Sequence, residues 1–173
     1  NAILKEEHPV IVIENKTDYA KKILHHQAAN YVYEINEDDY PVVQARPAVS
    51  VPDITVVAYG GMADVVNNLL TNIFLETDLK VELIVPSLIS SLPINVIVRS
   101  VNRTGRLVVI EEGSAYAGVG AELIAQVTEA TEERIKTRRI AAHPVPIPSV
   151  KSLEHTVLPD KERILEEIKL HFT

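Results

Sequence analysis

The stretch Ile54-Thr55-Val56-Val57-Ala58-Tyr59-Gly60-Gly61 decides the fold. It is a β-branched, almost wholly apolar run that stops at two glycines. A strand covered on both faces reads as a continuous apolar run rather than an alternating one, and Gly-Gly marks its end. The period then changes. Ala63, Val66, Leu69, Leu70, Ile73 and Phe74 fall on one face of a helix.

Working outward, the same alternation recurs. Val81 to Val85 (VELIV) is a second strand candidate. After Pro86 and a Ser-rich stretch, Ile94, Ile97, Val98 and Val101 have the spacing of a short helix. Ser91 is placed to cap it, Pro93 suits its first turn and Gly105 its end. Leu107 to Ile110 (LVVI) is a third strand, followed by a helical face of Val119, Leu123, Ile124, Val127 and Ala130. Arg138 to Ala142 reads as a weaker fourth strand. The three prolines between His143 and Ser149 exclude helix there. A last helix begins near Asp160 and buries Ile164, Leu165, Ile168 and Phe172. Apolar strands separated by helices indicate parallel pairing with both faces covered. Right-handed crossovers then give a three-layer α/β/α sandwich on a mostly parallel sheet.

Upstream the character differs. Between Asn1 and Pro52 there is one apolar run, Val10 to Ile13, then a polar, Tyr-bearing stretch. Glu37-Asp38-Asp39 with Pro41, Pro47 and Pro52 reads as a linker, residues 36–52, with Tyr31, Tyr33 and Tyr40 packing it onto the domain. With 173 residues, 46% of them hydrophobic, the chain suits one α/β domain and a small extra piece. A net charge of -7 without a Lys/Arg cluster speaks against nucleic-acid binding. No apolar run approaches the ~18 residues of a membrane span, and no secretory signal is visible. The absence of cysteine removes disulfides, thiolate catalysis and Cys-ligated zinc. Lacking an initiating Met, the sequence reads as an excised piece in which Asn1-Ala2 is a cloning scar or native.

Three segments go beyond fold class: Pro52 to Gly60 (PDITVVAYG), Thr104 to Gly113 (TGRLVVIEEG) and Gly118 to Leu123 (GVGAEL). Their order and spacing resemble the carboxy-terminal, transketolase-type domain in beta subunits of pyruvate, branched-chain 2-oxo acid and acetoin dehydrogenases. The tail is similar too, with a P-x-P loop at Pro146 and Pro148 and then Leu158-Pro159-Asp160. His8 to Tyr19 (HPVIVIENKTDY) resembles the last strand and exit of the family's preceding pyrimidine-binding domain. The chain departs from the family at Val85-Pro86-Ser87, usually Asp-Leu-Arg, and at Pro144, often Asp. The resemblance implies three parts: residues 1–35 as the end of the pyrimidine-binding domain, 36–52 as linker and 53–173 as the carboxy-terminal domain.

The resemblance also implies a function. The parent would oxidatively decarboxylate a 2-oxo acid and pass the acyl group to lipoyl, using thiamin diphosphate and Mg²⁺. The G-D-G…N metal motif is absent and the pyrimidine-site Glu would lie upstream of His8, so catalytic and cofactor-binding residues are not expected within this chain. Its work would be assembly: a homodimer, contact with an alpha-type half and docking of the acyltransferase core. The basic subunit-binding domain of that core is expected to meet Glu162, Glu166, Glu167 and the Thr173 carboxylate. Transketolase, deoxyxylulose-phosphate synthase and a non-catalytic transketolase-like module are the alternatives. The compartment would be the cytoplasm in a bacterium, which is favoured, or the mitochondrial matrix in a eukaryote.

Other candidate residues have plainer readings. Glu111 and Glu112 end a central strand, where α/β ligand sites lie. Being adjacent, they point to opposite faces and serve a two-carboxylate acid/base pair poorly. They are read as capping or subunit-contact residues. Gly118-Val119-Gly120 opens a helix and exposes amides to an anion, or simply permits close packing. His143 opens the Pro-rich loop and is a candidate contact residue. His25 and His26 are neighbours that diverge on a helix, which disfavours a metal pair.

Overall fold

The structure is a computed structural model that describes residues 2–14, 16, 19 and 27–173. His25 and His26 lie outside the described residues. Six strands form one sheet: β1 (Tyr31–Ile35), β2 (Val42–Pro47), β3 (Ile54–Ala58), β4 (Val81–Pro86), β5 (Arg106–Ser114) and β6 (Lys136–Ala142). Their order across the sheet is β1-β2-β4-β3-β5-β6. The pairs β3–β4, β3–β5 and β5–β6 are parallel, while β1–β2 and β2–β4 are antiparallel.

The helices are α1 (Gly61–Thr77), α2 (Ile94–Thr104), α3 (Val119–Ala130), the short α4 (Lys151–Glu154) and α5 (Lys161–Phe172). Helices α1 and α5 cover one face through Val66, Leu70, Ile73, Ile164, Ile168 and Phe172. On the other face α2 and α3 cover the sheet through Ile97, Val101, Leu123 and Val127. Alternate residues of β5 serve the two layers: Val108 and Ile110 face α1 and α5, Leu107 and Val109 face α2 and α3. Each fully buried Leu, Ile or Val contributes roughly 1.5–3 kcal/mol. The expected three-layer α/β/α sandwich is what forms.

Helix ends follow local chemistry. Gly105 sits in the left-handed region at φ 64, and its N–H closes α2 on the Val101 carbonyl at 2.7 Å. Asp160 caps α5, its carboxylate accepting from the Arg163 N–H at 2.9 Å. Ser91 does not cap α2; Pro93 occupies the N-cap position without a side-chain bond. Phe74 is 40% exposed at the rim of α1, and Met62 joins the buried face instead.

Residues 36–52, read from sequence as linker, contain β2, which bonds directly to β4. The reason is local. Val42 and Ala45 are buried, and the Asn36 side chain accepts from the Val42 N–H at 2.7 Å to close the hairpin. Pro41 precedes the strand and Pro47 is its last residue, positions where a missing N–H is tolerated. Tyr31–Ile35, within the stretch 1–35 read from sequence as the end of a preceding domain, pairs with β2 in this same sheet. Val10 to Ile13 forms no strand here, and Ile11 and Ile13 are 88% and 82% exposed.

Candidate functional site

The carboxy ends of the parallel strands gather most of the residues singled out from sequence. Tyr59 follows β3, Glu111 and Glu112 lie near the end of β5, His143 follows β6, and Gly118 caps α3. This is the edge where α/β proteins place ligands.

Glu111 is fully buried. Its Oε2 accepts from the Tyr59 hydroxyl at 2.7 Å, and its two oxygens accept from the Gly120 N–H at 3.1 and 3.2 Å. The positive end of α3 thus faces a carboxylate supplied by the chain itself. Two glycines make the approach possible. A Cβ on Gly118 would lie 2.5 Å from the Ser114 carbonyl oxygen and 2.7 Å from Glu111 Oε1. One on Gly120 would lie 2.6 Å from the same Oε1. Gly118 and Gly120 thus permit close packing, and the anion they admit is the chain's own Glu111. Burial pushes the Tyr59 phenol upward, and the bond to Glu111 adds to it. Tyr59 thus stands as the hydrogen-bond donor to Glu111.

Glu112 is exposed, on the opposite side of the strand from Glu111. The two carboxylates diverge. His143 is exposed, its backbone N–H held by the Val157 carbonyl at 3.0 Å. Beside it the β5–α3 loop presents Tyr116, 85% exposed, with Ala117 at φ 55.

The residues of α5 form a separate group. Glu167 is committed internally: Arg138 Nε and its terminal nitrogen reach its Oε2 at 2.8 and 2.6 Å. His171 Nε2 lies 3.3 Å from the same oxygen without hydrogen-bond geometry. Glu166 and Glu162 are exposed along a groove between α1 and α5, where Lys169 pairs with Glu76. Thr173 is exposed, and its hydroxyl donates to the Lys169 carbonyl at 2.6 Å.

A third group was not singled out from sequence. Glu82 is fully buried and accepts from Ser100 Oγ at 2.6 Å, Arg103 at 2.7 Å and Gln44 at 3.2 Å. Ser100 continues to Thr55 at 2.7 Å, and Thr55 to Thr104 at 2.8 Å. A charged residue within VELIV was the available signal, since a lone acid in a doubly covered strand must find partners.

A thiamin diphosphate and Mg²⁺ site needs free phosphate donors and carboxylates open to a cation. At the sheet's carboxy edge Glu111 already fills the α3 amino terminus, and among the described residues no cluster of three His, Asp or Glu is placed to hold a metal. These residues do not fit that site, and no catalytic step is assigned to them.

Comparison with known proteins locates the chain. The family model described as "Transketolase, C-terminal domain" matches residues 44–164. Among curated proteins, the pyruvate dehydrogenase E1 component subunit beta of Rickettsia bellii is 27% identical, covering 96% of this chain and 49% of its own length. That of Staphylococcus epidermidis is 29% identical with 96% and 49% covered. The mitochondrial subunit of Dictyostelium discoideum is 24% identical, with 96% and 46% covered. The chain therefore spans about half the length of the curated relatives it matches. A solved structure titled "Split gene transketolase, inactive beta4 tetramer" superimposes with a TM-score of 0.62 at 19% identity, over 70% of this chain and 40% of that one.

Proposed function

The chain belongs to the transketolase C-terminal domain family, and from that membership we propose that it is the carboxy-terminal domain of a 2-oxo acid dehydrogenase beta-type half. The carrying observation is the extent of the match. Relatives named as beta subunits align over 96% of the chain, reaching upstream of the family domain that starts at residue 44. The similar transketolase structure, at 19% identity, supports the fold alone.

In this reading the parent decarboxylates a 2-oxo acid with thiamin diphosphate and Mg²⁺ held by other domains, and transfers the acyl group to lipoyl. The cofactor supplies the carbanion chemistry when bound. This domain pairs beta halves, supports the alpha-type half and receives the basic subunit-binding domain of the acyltransferase. The parent works in the cytoplasm of a bacterium or the matrix of a mitochondrion. No helix among the described residues is long and apolar enough to cross a membrane.

Two measurements test this. The full-length gene product, combined with its alpha half, should release CO₂ from a 2-oxo acid only with thiamin diphosphate and Mg²⁺. Ketol transfer between sugar phosphates instead would move the chain to transketolase. The 173-residue chain alone should show no Mg²⁺-dependent thiamin diphosphate binding by calorimetry.

Docking has its own test. Capture by an immobilised subunit-binding domain should weaken as salt rises, and Glu166→Gln should weaken it most at low salt, because rim charges mainly drive encounter and are screened by added salt. Glu167→Gln should act chiefly by releasing Arg138. If neither substitution nor a glycine extension after Thr173 alters capture, α5 is not the docking surface.

A further inference from the structure

At the opposite edge of the sheet, where β5 and β6 begin, Arg106, Arg134 and Lys136 line a depression of about 680 Å³ beside Gly105. Arg106 and Lys136 are direct partners in the parallel β5–β6 register. Both lie on the α1/α5 side. Arg106 is in phase with Val108 and Ile110, and the Lys136 ammonium sits 5.4 Å from the Phe172 ring centroid. Like charges directly opposed across a strand pair destabilise it. Sequences normally separate such charges or set an acid between them.

Neither remedy is present here. Two residues along β6 on the same face, Arg138 meets Glu167 of α5. What α5 offers Lys136 is Phe172, an aromatic ring. Several cations elsewhere are matched, as Arg46 is by Glu34, Lys80 by Asp53 and Arg103 by Glu82, while Arg139 and Arg163 are held by backbone carbonyls. Among the described residues no carboxylate lies within ion-pair distance of Arg106, Arg134 or Lys136, including neighbouring Glu132 and Glu133. The carboxy ends of α5 and of α2, the latter at Gly105 on the lining of the depression, each offset roughly half a charge. About two positive charges stay uncompensated, in a chain whose net charge is -7.

We propose that this depression is a binding site for a small soluble molecule carrying a di- or triphosphate group. Two guanidinium-bearing residues and a lysine on the lining of one concavity suit a multiply charged tetrahedral anion better than a single carboxylate. The volume admits a small ligand. The site lies at the strands' amino edge, away from Glu111, and does not depend on the oxidoreductase reading.

Calorimetry with inorganic tripolyphosphate, without Mg²⁺ and at low ionic strength, tests the proposal on the 173-residue chain. One saturable site is expected, and the double substitution Arg106→Gln, Lys136→Gln should weaken it more than about tenfold, the loss of charge-assisted hydrogen bonds. The pair Lys161→Gln, Lys169→Gln, which removes cations already matched by carboxylates, should leave binding unchanged. Thermal unfolding adds a readout that ordinary surface charge would not move. Without anion the Arg106/Lys136 variant should melt higher than wild type, and tripolyphosphate should raise only the wild-type midpoint. Equal binding of sulfate at matched ionic strength, or equal losses from both double variants, would overturn the site. If the Arg106/Lys136 variant does not fold, Arg134→Gln in the exposed loop decides, and undiminished affinity in that variant rejects the proposal.

Discussion

Glu82 and Glu111 are both fully buried carboxylates in neighbouring parts of one sheet, yet they are satisfied in different ways. Glu82, near the start of β4, is neutralised by a cation, Arg103, and steadied by Ser100 and Gln44. Glu111, towards the end of β5, has no cation; a phenol and a helix amide hold it. The first arrangement is a charge pair and depends on its partner being present. The second is a fitted cavity for an anion and depends on backbone shape. One sequence thus solves the same desolvation problem once with charge and once with glycine.

The contrast is broken most strongly at Arg103. Arg103→Ala strands Glu82 in the interior, which should cost about 3 kcal/mol, the low end for a broken buried pair because Arg103 is itself 43% exposed. Urea unfolding measures it, and a loss below about 1 kcal/mol, the scale of a surface pair, would show that water reaches Glu82. Next in size is Gly120→Ala. Its Cβ would meet Glu111 Oε1 at 2.6 Å and Val109 Cγ1 at 3.0 Å. The strain should cost about 2 kcal/mol. Adding Glu111→Gln should not restore stability if shape governs this carboxylate; full restoration would mean that charge does.

The smallest effect is at Tyr59. Tyr59→Phe removes one donor to a carboxylate, about 1.5 kcal/mol at neutral pH. Its alkaline signature is sharper. Burial raises the native pKa of Tyr59, and raises that of Tyr31 to about 12 from 10.0. Below pH 10 both phenols are neutral in either state, and their contribution is complete. As pH climbs from 10 through 12 the unfolded state releases protons that the native state retains, so stability falls. Tyr59→Phe should flatten that fall and Tyr31→Phe should flatten it further. A slope unchanged in both variants would assign it to other groups.

Much of the architecture was legible because it rests on one-dimensional signals. The apolar runs at Ile54, Val81 and Leu107 became β3, β4 and β5, and Gly105 and Asp160 ended and began the helices assigned to them. The antiparallel edge was not legible. β1 and β2 are short and partly polar, and they sit among prolines that normally signal irregular chain. Their pairing is justified only by β4, brought alongside from later in sequence. Site chemistry was harder to read for the same reason. Glu111 and Tyr59 are 52 residues apart, and nothing near either announces the contact. The two glycines flanking Val119 were visible, but which atom they admit was not. The β5–β6 register that opposes Arg106 and Lys136 likewise emerges only when the strands are paired.

The strand order also dictates how the molecule comes apart. β3 lies between β4 and β5, and each of its residues is buried. β1 pairs within the sheet with β2 alone, at the outer margin, where Val32 and Ile35 are half open to water and Tyr31 and Tyr33 tether it to the core. In deuterium, the amides of β1 exchange as the hairpin peels away, an opening that leaves the parallel strands intact. Those of Val56 and Val57 exchange only when the entire sheet separates, so their protection reports the global unfolding free energy. The sheet therefore carries its own gauge of stability at its centre, and the hairpin is the first part to yield.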